Sequence, residues 1–420
     1  MRTAIAFIPL FAALLSLAHG AEPPPGSSTL TMADAVQLAR EANPAVRAAR
    51  IDVDAAEAAR RGAGAPVQNP EVSLGAGARI TEGGPQADVA VRFEVPLDVG
   101  GAARQRRSRE AAGLEAARAR LAATELEAAV AARLAFAEAT AAESRLALAD
   151  EAVSLAVGIE DAARRRHELG EVSILEPNSA GLDRSSAEAA RATRRGELDV
   201  AQQRLREVLG MPGGQLLVLV AEPPAAWPGG LARDGEALAR DALARRTDLV
   251  AAREAEDAAA AGLRVARAEG APGVSVGAGW EREGDEANIV GGGVSFEIPV
   301  QRNQIGVARA GRAADRAGLR TDVLAQQIER DVRAALAAWL AADERYRATS
   351  GEALALAETN LHLVLRAYET GEEDLLVVQM MQRQALAARR AAIEAELALR
   401  RASALLEGAL GEEVLRAPEE

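Results

Sequence analysis

The side chains best placed to do chemistry are carboxylates gathered around two turns about 200 residues apart. Glu168, Glu171 and Glu176 surround the first, centred on Gly170; Glu369, Glu372, Glu373 and Asp374 surround the second, centred on Gly371. Clustered carboxylates attract cations without transforming them. Arg164, Arg165, Arg166 and Arg366 lie close enough in sequence to neutralise part of that charge. No other region competes as a reactive centre. Cysteine is absent and histidine occurs three times, so disulfides, thiolate metal sites and zinc chemistry have almost no ligands to draw on. No nucleophile with a partner base and no phosphate-cradling loop stands out. The expectation is a protein that is not an enzyme and carries no cofactor or resident metal. A net charge of −13 argues against nucleic acid as a partner.

Long helices must carry these turns. No proline interrupts the chain from Ala102 to Glu168 or from Ile305 to Glu369, and about 65 helical residues span near 100 Å. Leu148, Ala152, Leu155, Ile159 and Ala162 recur at spacings of four and three, as do Leu354, Ala357, Leu361, Leu365 and Tyr368. That is a coiled-coil seam in which alanines are interspersed with larger apolar residues and let helices approach closely. His167 and His362 fall on these helices and read as exposed residues, not ligands. Gly170 and Gly371 stop the helices. Return helices follow, from about Ile174 to Leu209 and from Leu375 to Leu410. Shorter helices over Pro44–Ala63 and Asp248–Glu269, added to the return helices, nearly match the long ones in length. A long helix can therefore run beside two shorter ones stacked end to end. The low aromatic content, 2%, suits helices packed through small side chains.

Each long helix is preceded by a β-hairpin. Val89, Val91, Phe93, Val95 and Leu97 alternate with Ala90, Arg92, Glu94 and Pro96; Val290, Gly292, Val294, Phe296 and Ile298 alternate with Gly291, Gly293, Ser295 and Glu297. Their partner strands hold Val72, Leu74, Ala76 and Ala78, and Val274, Val276, Ala278 and Trp280. One apolar face and one polar face fit a strand of a transmembrane barrel, with Arg92, Glu94 and Glu297 lining a wet lumen. An ordinary half-buried hairpin has the same period. Four strands cannot close a barrel, and open edges are not viable in lipid, so closure would need several chains.

The two halves are copies. Asn43 to Arg50 answers Arg246 to Arg253; Val72-Ser73-Leu74-Gly75-Ala76-Gly77 answers Val274-Ser275-Val276-Gly277-Ala278-Gly279; Phe93-Glu94-Val95-Pro96-Leu97 answers Phe296-Glu297-Ile298-Pro299-Val300. Matches in this constant order signal an internal repeat. The domains read as a signal peptide over 1–20, with apolar Ile5 to Leu17 before small residues; a first repeat over 30–210, with its β-hairpin at about 70–97 and helical hairpin at about 102–209; and a Pro- and Gly-rich connector over 211–235. A second repeat follows over 236–411, with its β-hairpin at about 273–300 and helical hairpin at about 305–410, and then a tail over 412–420.

In this order the landmarks resemble TolC-type outer-membrane efflux proteins: Asn43-Pro44 opening the first repeat, Pro96-Leu97-Asp98-Val99-Gly100-Gly101 after the first hairpin, and the turns at Gly170 and Gly371. The resemblance covers about Leu30 to Gly411. It implies a mainly α protein with a small β part, a homotrimer whose protomers give four strands each to a twelve-stranded barrel in outer-membrane lipid, and a periplasmic helical barrel. It also implies passive export, with a periplasmic adaptor protein and an inner-membrane RND transporter as partners. Pro96, Gly100, Gly101, Pro299, Arg302 and Asn303 would make the barrel-to-helix junctions, and Gly371-Glu372 the adaptor contact. Pro299-Val300-Gln301-Arg302-Asn303-Gln304 is similar to the segment of CzcC-type members, which serve heavy-metal pumps, though Gln301 replaces the usual Phe and Ile305 stands where Gly is common. Well-known members narrow at aspartates on the second return helix; Val377 and Met380 stand there here, whereas Glu176 matches an acidic position of the first repeat. The alternatives are a duct for drugs or for type I protein secretion, or a periplasmic coiled-coil adaptor or structural protein.

Overall fold

A computed structural model of the chain describes residues 27–63, 69–81, 84–213, 216–224, 226–227, 233–284, 287–297 and 303–412. The signal segment expected over 1–20, and the tail beyond residue 412, lie outside them. The first described strand, β1 (Ser27–Leu30), leads into a reciprocal helix cap: Asp34 N–H donates to Thr31 Oγ1 (3.2 Å) while Thr31 N–H donates to Asp34 Oδ2 (3.1 Å). Two helices follow, α1 (Met32–Ala42) and α2 (Pro44–Gly62), the second opened by a proline whose missing N–H is no loss there. Then come the hairpin β2 (Glu71–Thr81) and β3 (Gly84–Leu97) and the helical hairpin α3 (Ala102–Glu168) and α4 (Leu175–Val208). After β4 (Leu216–Leu219) the order recurs: α5 (Gly235–Arg245), α6 (Thr247–Ala268), β5 (Val274–Glu283), β6 (Ala287–Phe296), α7 (Gln304–Thr349), α8 (Glu352–Glu369) and α9 (Leu375–Leu410).

Two features depart from the sequence reading. The helix expected without interruption over 305–369 is broken at Ser350-Gly351, whereas α3 runs unbroken for 67 residues. Thr349 Oγ1 donates to Arg345 O (2.9 Å) and Ser350 Oγ to Tyr346 O (2.6 Å). These hydroxyls compete for the carbonyls that hold the last turn, and Gly351 does little to keep the backbone helical. The connector is also more than a linker. Its strand β4 pairs in parallel with β1, from Ser27 opposite Leu216 to Leu30 opposite Leu219.

The remaining strands form one antiparallel sheet in the order β2-β3-β5-β6. Beneath it the helices form a layer. α3 lies between α2 and α4 on one side and α6 and α9 on the other, and α7 packs beyond α6 and α9. The shorter helices do stack end to end. Gly210, at φ +64°, sits where a Cβ would come within 2.2 Å of Ala42 O, and Asn43 Nδ2 donates to Val208 O (2.8 Å). In the second half Gly411 meets Arg246, whose Nη1 donates to Ala409 O (3.3 Å). Each repeat has its own apolar core at this level, around the fully buried Phe136, Leu205 and Leu209 in the first and Ile328, Trp339 and Leu406 in the second. Directly below the sheet the contacts run α2–α3–α6–α7, so the layer there ends in α2 at one edge and in α7 at the other. Its sheet ends in β2, which follows α2, and β6, which precedes α7.

Candidate functional site

The two carboxylate turns are built alike. Gly170 (φ +78°) and Gly371 (φ +81°) are left-handed, as a helix stop requires. Their N–H groups donate to His167 O (2.9 Å) and Tyr368 O (3.1 Å), while Glu171 and Glu372 donate to Arg166 O (2.9 Å) and Ala367 O (2.8 Å). An apolar cluster that includes Ile159, Ala163, Ala180, Val364, Tyr368 and Val378 joins the two hairpins just behind the turns.

Polar contacts tie the same ends together. Tyr368 Oη donates to Glu176 Oε2 (3.2 Å), and burial, reinforced by the Glu176 charge, pushes the phenol up to about 12. The Arg166 guanidinium lies 4.8 Å from the Tyr368 ring centroid, with Nε 3.3 Å from Glu171 Oε2 and Nη1 donating to Glu373 O at 3.5 Å. Gln379 Nε2 donates to Ser179 Oγ (3.1 Å) and Asp183 Oδ2 (2.8 Å). Further from the tip, the buried Glu160 carboxylate is clasped by Arg184 (2.6 Å) and Arg164. The Arg184 hydrogen bond holds its pKa below the usual carboxylate range.

The anticipated carboxylates thus divide. Glu176 is drawn inward by Tyr368 and Glu171 shares Arg166, whereas Glu168, Glu369, Glu372, Glu373 and Asp374 are exposed at the rim. Val377 packs against the tip cluster, and Met380 is exposed. His167 corrects the sequence reading: it is half-buried, with Nδ1 donating to Val172 O (2.9 Å), because the turn folds back over its ring. The sequence reading treats Arg166 only as a neutralising charge beside the turn and Tyr368 only as a seam residue, and it does not single out Glu160, Arg184 and Gln379. The available signal was a charge on an apolar stripe: Glu160 follows Ala156 and Ile159 on the buried face, with an arginine four residues on.

Over its middle rows the sheet sorts its side chains, with Arg282 opposite Val89 and Ile289 opposite Glu281 as exceptions towards one end. Directly paired residues share a face, so Leu74, Val91, Trp280 and Val290 form one apolar row, and Val72, Phe93, Ala278 and Gly292 the next. The opposite face carries Arg92, flanked by Ser73 and Gly279, and Glu94, flanked by Glu71 and Gly277. Ser295 Oγ donates to Glu94 Oε1 (2.8 Å). Arg79 reaches both Asp88 (3.3 Å) and Glu283 (3.0 Å) on this face. Glu297 lies one residue past β6 and is exposed, its N–H donating to Gly273 O (2.8 Å).

At the strand-to-helix junctions, Pro96 pairs with Ser275 near the end of β3. Asp98, which the sequence reading left without a role, caps α3 by accepting from Ala102 N–H (2.8 Å) and Ala103 N–H (2.7 Å). Gly100 presses so closely on Ala271 that a Cβ would lie 2.6 Å from its methyl group. Gly101 (φ +67°) and Asn303 (φ +48°) occupy the same left-handed position before α3 and α7, and Asn303 Nδ2 donates to Ala266 O (3.1 Å). Pro299 and Arg302, expected to complete the second junction, lie outside the described residues.

Residues 35–211 and 238–412 match the sequence profile of the outer membrane efflux protein family. The chain belongs to this family. Among solved structures, the fold of this efflux protein is similar to the Campylobacter jejuni CmeC outer membrane channel, at 16% identity and a TM-score of 0.76 over 92% of this chain and 87% of that one. It is similar to CusC at 20% identity and a TM-score of 0.74, over 91% and 92% of the two chains. It also resembles the open state of the Neisseria gonorrhoeae MtrE outer membrane channel, at 19% identity and a TM-score of 0.69, over 91% and 89%. No curated protein sequence matches the chain. Among its described residues, no helix of the efflux protein is long and apolar enough to cross a membrane.

Proposed function

We propose that the chain is the outer-membrane channel of a tripartite efflux system, a passive homotrimeric duct across periplasm and outer membrane, reached through the export signal at residues 1–20. The observation that carries this reading is a coincidence of edges. Among the described residues the sheet ends in two strands whose outer edges have no partner, and the helical layer under it ends on the same two sides. Two unlike edges on one body join head to tail and close by rotation into a ring. An apolar sheet face can stand in lipid only if every edge strand is paired. Three copies supply twelve strands, with the apolar face outward and Arg92, Glu94 and Glu297 toward the lumen.

The helical layer then forms the periplasmic tube, and the paired turns form its inner end. There Gly170, Gly371 and the acidic rim serve as gate and as docking surface for a periplasmic adaptor, with an inner-membrane RND transporter supplying energy. Heavy-metal cations are the cargo best matched to this rim, because Glu168, Glu369, Glu372, Glu373 and Asp374 are exposed in each copy and three copies gather about 15 such carboxylates around one opening. Outer-membrane fractionation with denaturing gels of unheated and heated samples tests the assembly. A heat-modifiable trimer in the outer membrane is expected, and a soluble periplasmic monomer overturns the reading. For cargo, a deletion strain hypersensitive to drugs but normal toward metals would reject metal export.

A further inference from the structure

We infer that β6 of one copy pairs with β2 of the next in a fixed register, Phe296 opposite Ala76, Val294 opposite Ala78 and Gly292 opposite Ile80. This rests on the trimeric reading above and adds to it the geometry of the joint. The chain already contains one joint between its repeats, where β3 meets β5 with Phe93 opposite Ala278 and Val91 opposite Trp280. The two hairpins are also in the same internal register. Val72 faces Phe93 as Val274 faces Phe296, and Leu74 faces Val91 as Val276 faces Val294. Residue for residue, β5 stands to β6 as β2 stands to β3. The β3–β5 joint thus has an unmade counterpart, β6 against β2, and carrying its pairing across gives the register stated.

The transferred register has properties that were not used to derive it. A slip of one residue would turn polar side chains into lipid; here every named pair lies on the apolar face. Each pair sets a large or branched side chain against alanine or glycine, so none crowds its neighbour. Phe296, Val294 and Ile80 are 69%, 56% and 88% exposed in the single chain, and the joint would cover them. The helices agree with the strands. α3 packs on α6 within the chain, and the same transfer places α7 on the next copy's α2, directly below the proposed joint.

Cysteine cross-linking tests this, since the chain has no cysteine of its own. Phe296→Cys with Ala76→Cys is the in-register pair; Phe296→Cys with Ala78→Cys and Phe296→Cys with Leu74→Cys are shifted by two residues either way. Opposed Cα atoms lie about 4.5–5.5 Å apart, and diagonal ones about 7–8 Å, beyond what a disulfide spans. Within one chain β2 and β6 are three strand spacings apart, about 14 Å, so any bond formed joins two copies. After mild oxidation the in-register pair should give covalent dimer and trimer at roughly tenfold the yield of either shifted pair. Val294→Cys with Ala78→Cys repeats the measurement should the first pair fail to assemble. Stronger cross-linking of a shifted pair overturns the register. Absence of cross-linking in every pair, with heat-modifiable trimers still present, overturns the joint and leaves the trimer standing. A monomeric wild-type protein overturns both.

Discussion

Replacing Arg166 with alanine should uncouple the two helical tips without unfolding either. Its side chain makes two contacts that link the hairpins, the Tyr368 ring at 4.8 Å and the Glu373 carbonyl at 3.5 Å, and a third within its own turn, Glu171 at 3.3 Å. A partly buried cation–π contact contributes about 1 kcal/mol. A half-exposed ion pair adds about 0.5 kcal/mol, and a contact at the limit of hydrogen-bond distance adds little. Together, a loss of about 1–2 kcal/mol raises the population of locally opened tip states about 5- to 30-fold. The backbone bonds that close the turns use the Arg166 carbonyl, not its side chain, so each turn persists. Amide hydrogen exchange read by mass spectrometry is the assay. Exchange over residues 169–176 and 370–378 should rise about 5- to 30-fold, while 128–139 and 328–339 in the two cores stay as in the wild type. Arg166→Lys, which keeps the charge but not the planar stacking, should fall between. Unchanged exchange at the tips, or an equal rise in the cores, would refute the coupling role.

Other perturbations have equally definite outcomes. Burial pushes Glu143 up to about 7 against an opposing bond from Gln202. The folded chain therefore keeps a proton that the unfolded chain loses near 4.5, so the associated stability is full below about 4.5 and lost as pH rises through about 7. After solvent screening this amounts to the order of 1 kcal/mol; a melting-temperature difference between the two ends of this range that Glu143→Gln leaves intact would rule it out. The only two tyrosines, Tyr346 and Tyr368, are both raised by burial, the latter to about 12. At pH of about 10, where a free phenol is half ionised, native protein should show well under half the tyrosinate absorbance, and denaturant should restore it. Gly210→Ala should block folding or assembly, since its Cβ would meet Ala42 O, whereas Gly170→Ala, left-handed but in open space, should cost only about 1 kcal/mol; equal thermal stability of the two variants contradicts the stacking joint. Phe136→Ala, at a fully buried site in the first core, should lower stability by about 3–5 kcal/mol, read as a large fall in the thermal unfolding midpoint.

What could be read from the sequence was local and periodic. Alternation over Val89 to Leu97 and over Val290 to Phe296 marked the strands, and repetition between the halves marked the hairpins. Gly170 and Gly371 marked the turns because only a residue tolerant of left-handed backbone stops a helix there. The Ser350-Gly351 break was missed because proline was the breaker sought, and two hydroxyls competing for carbonyls leave no periodic trace. The pairing of β1 with β4 joins segments far apart in sequence and too short to show a pattern. The tip contacts of Arg166, Tyr368 and Gln379 also depend on which hairpin packs against which. That is fixed by the fold and not by spacing, so the acidic rim was visible while the network behind it was not.

The most direct test of the duct is its conductance. Purified protein reconstituted into a planar lipid bilayer should insert as discrete units, each giving a stable current step. At low ionic strength the current should favour cations, because the exposed rim is acidic. A protein that binds the bilayer without producing current steps, or never inserts, would contradict a closed barrel continuous with a helical tube.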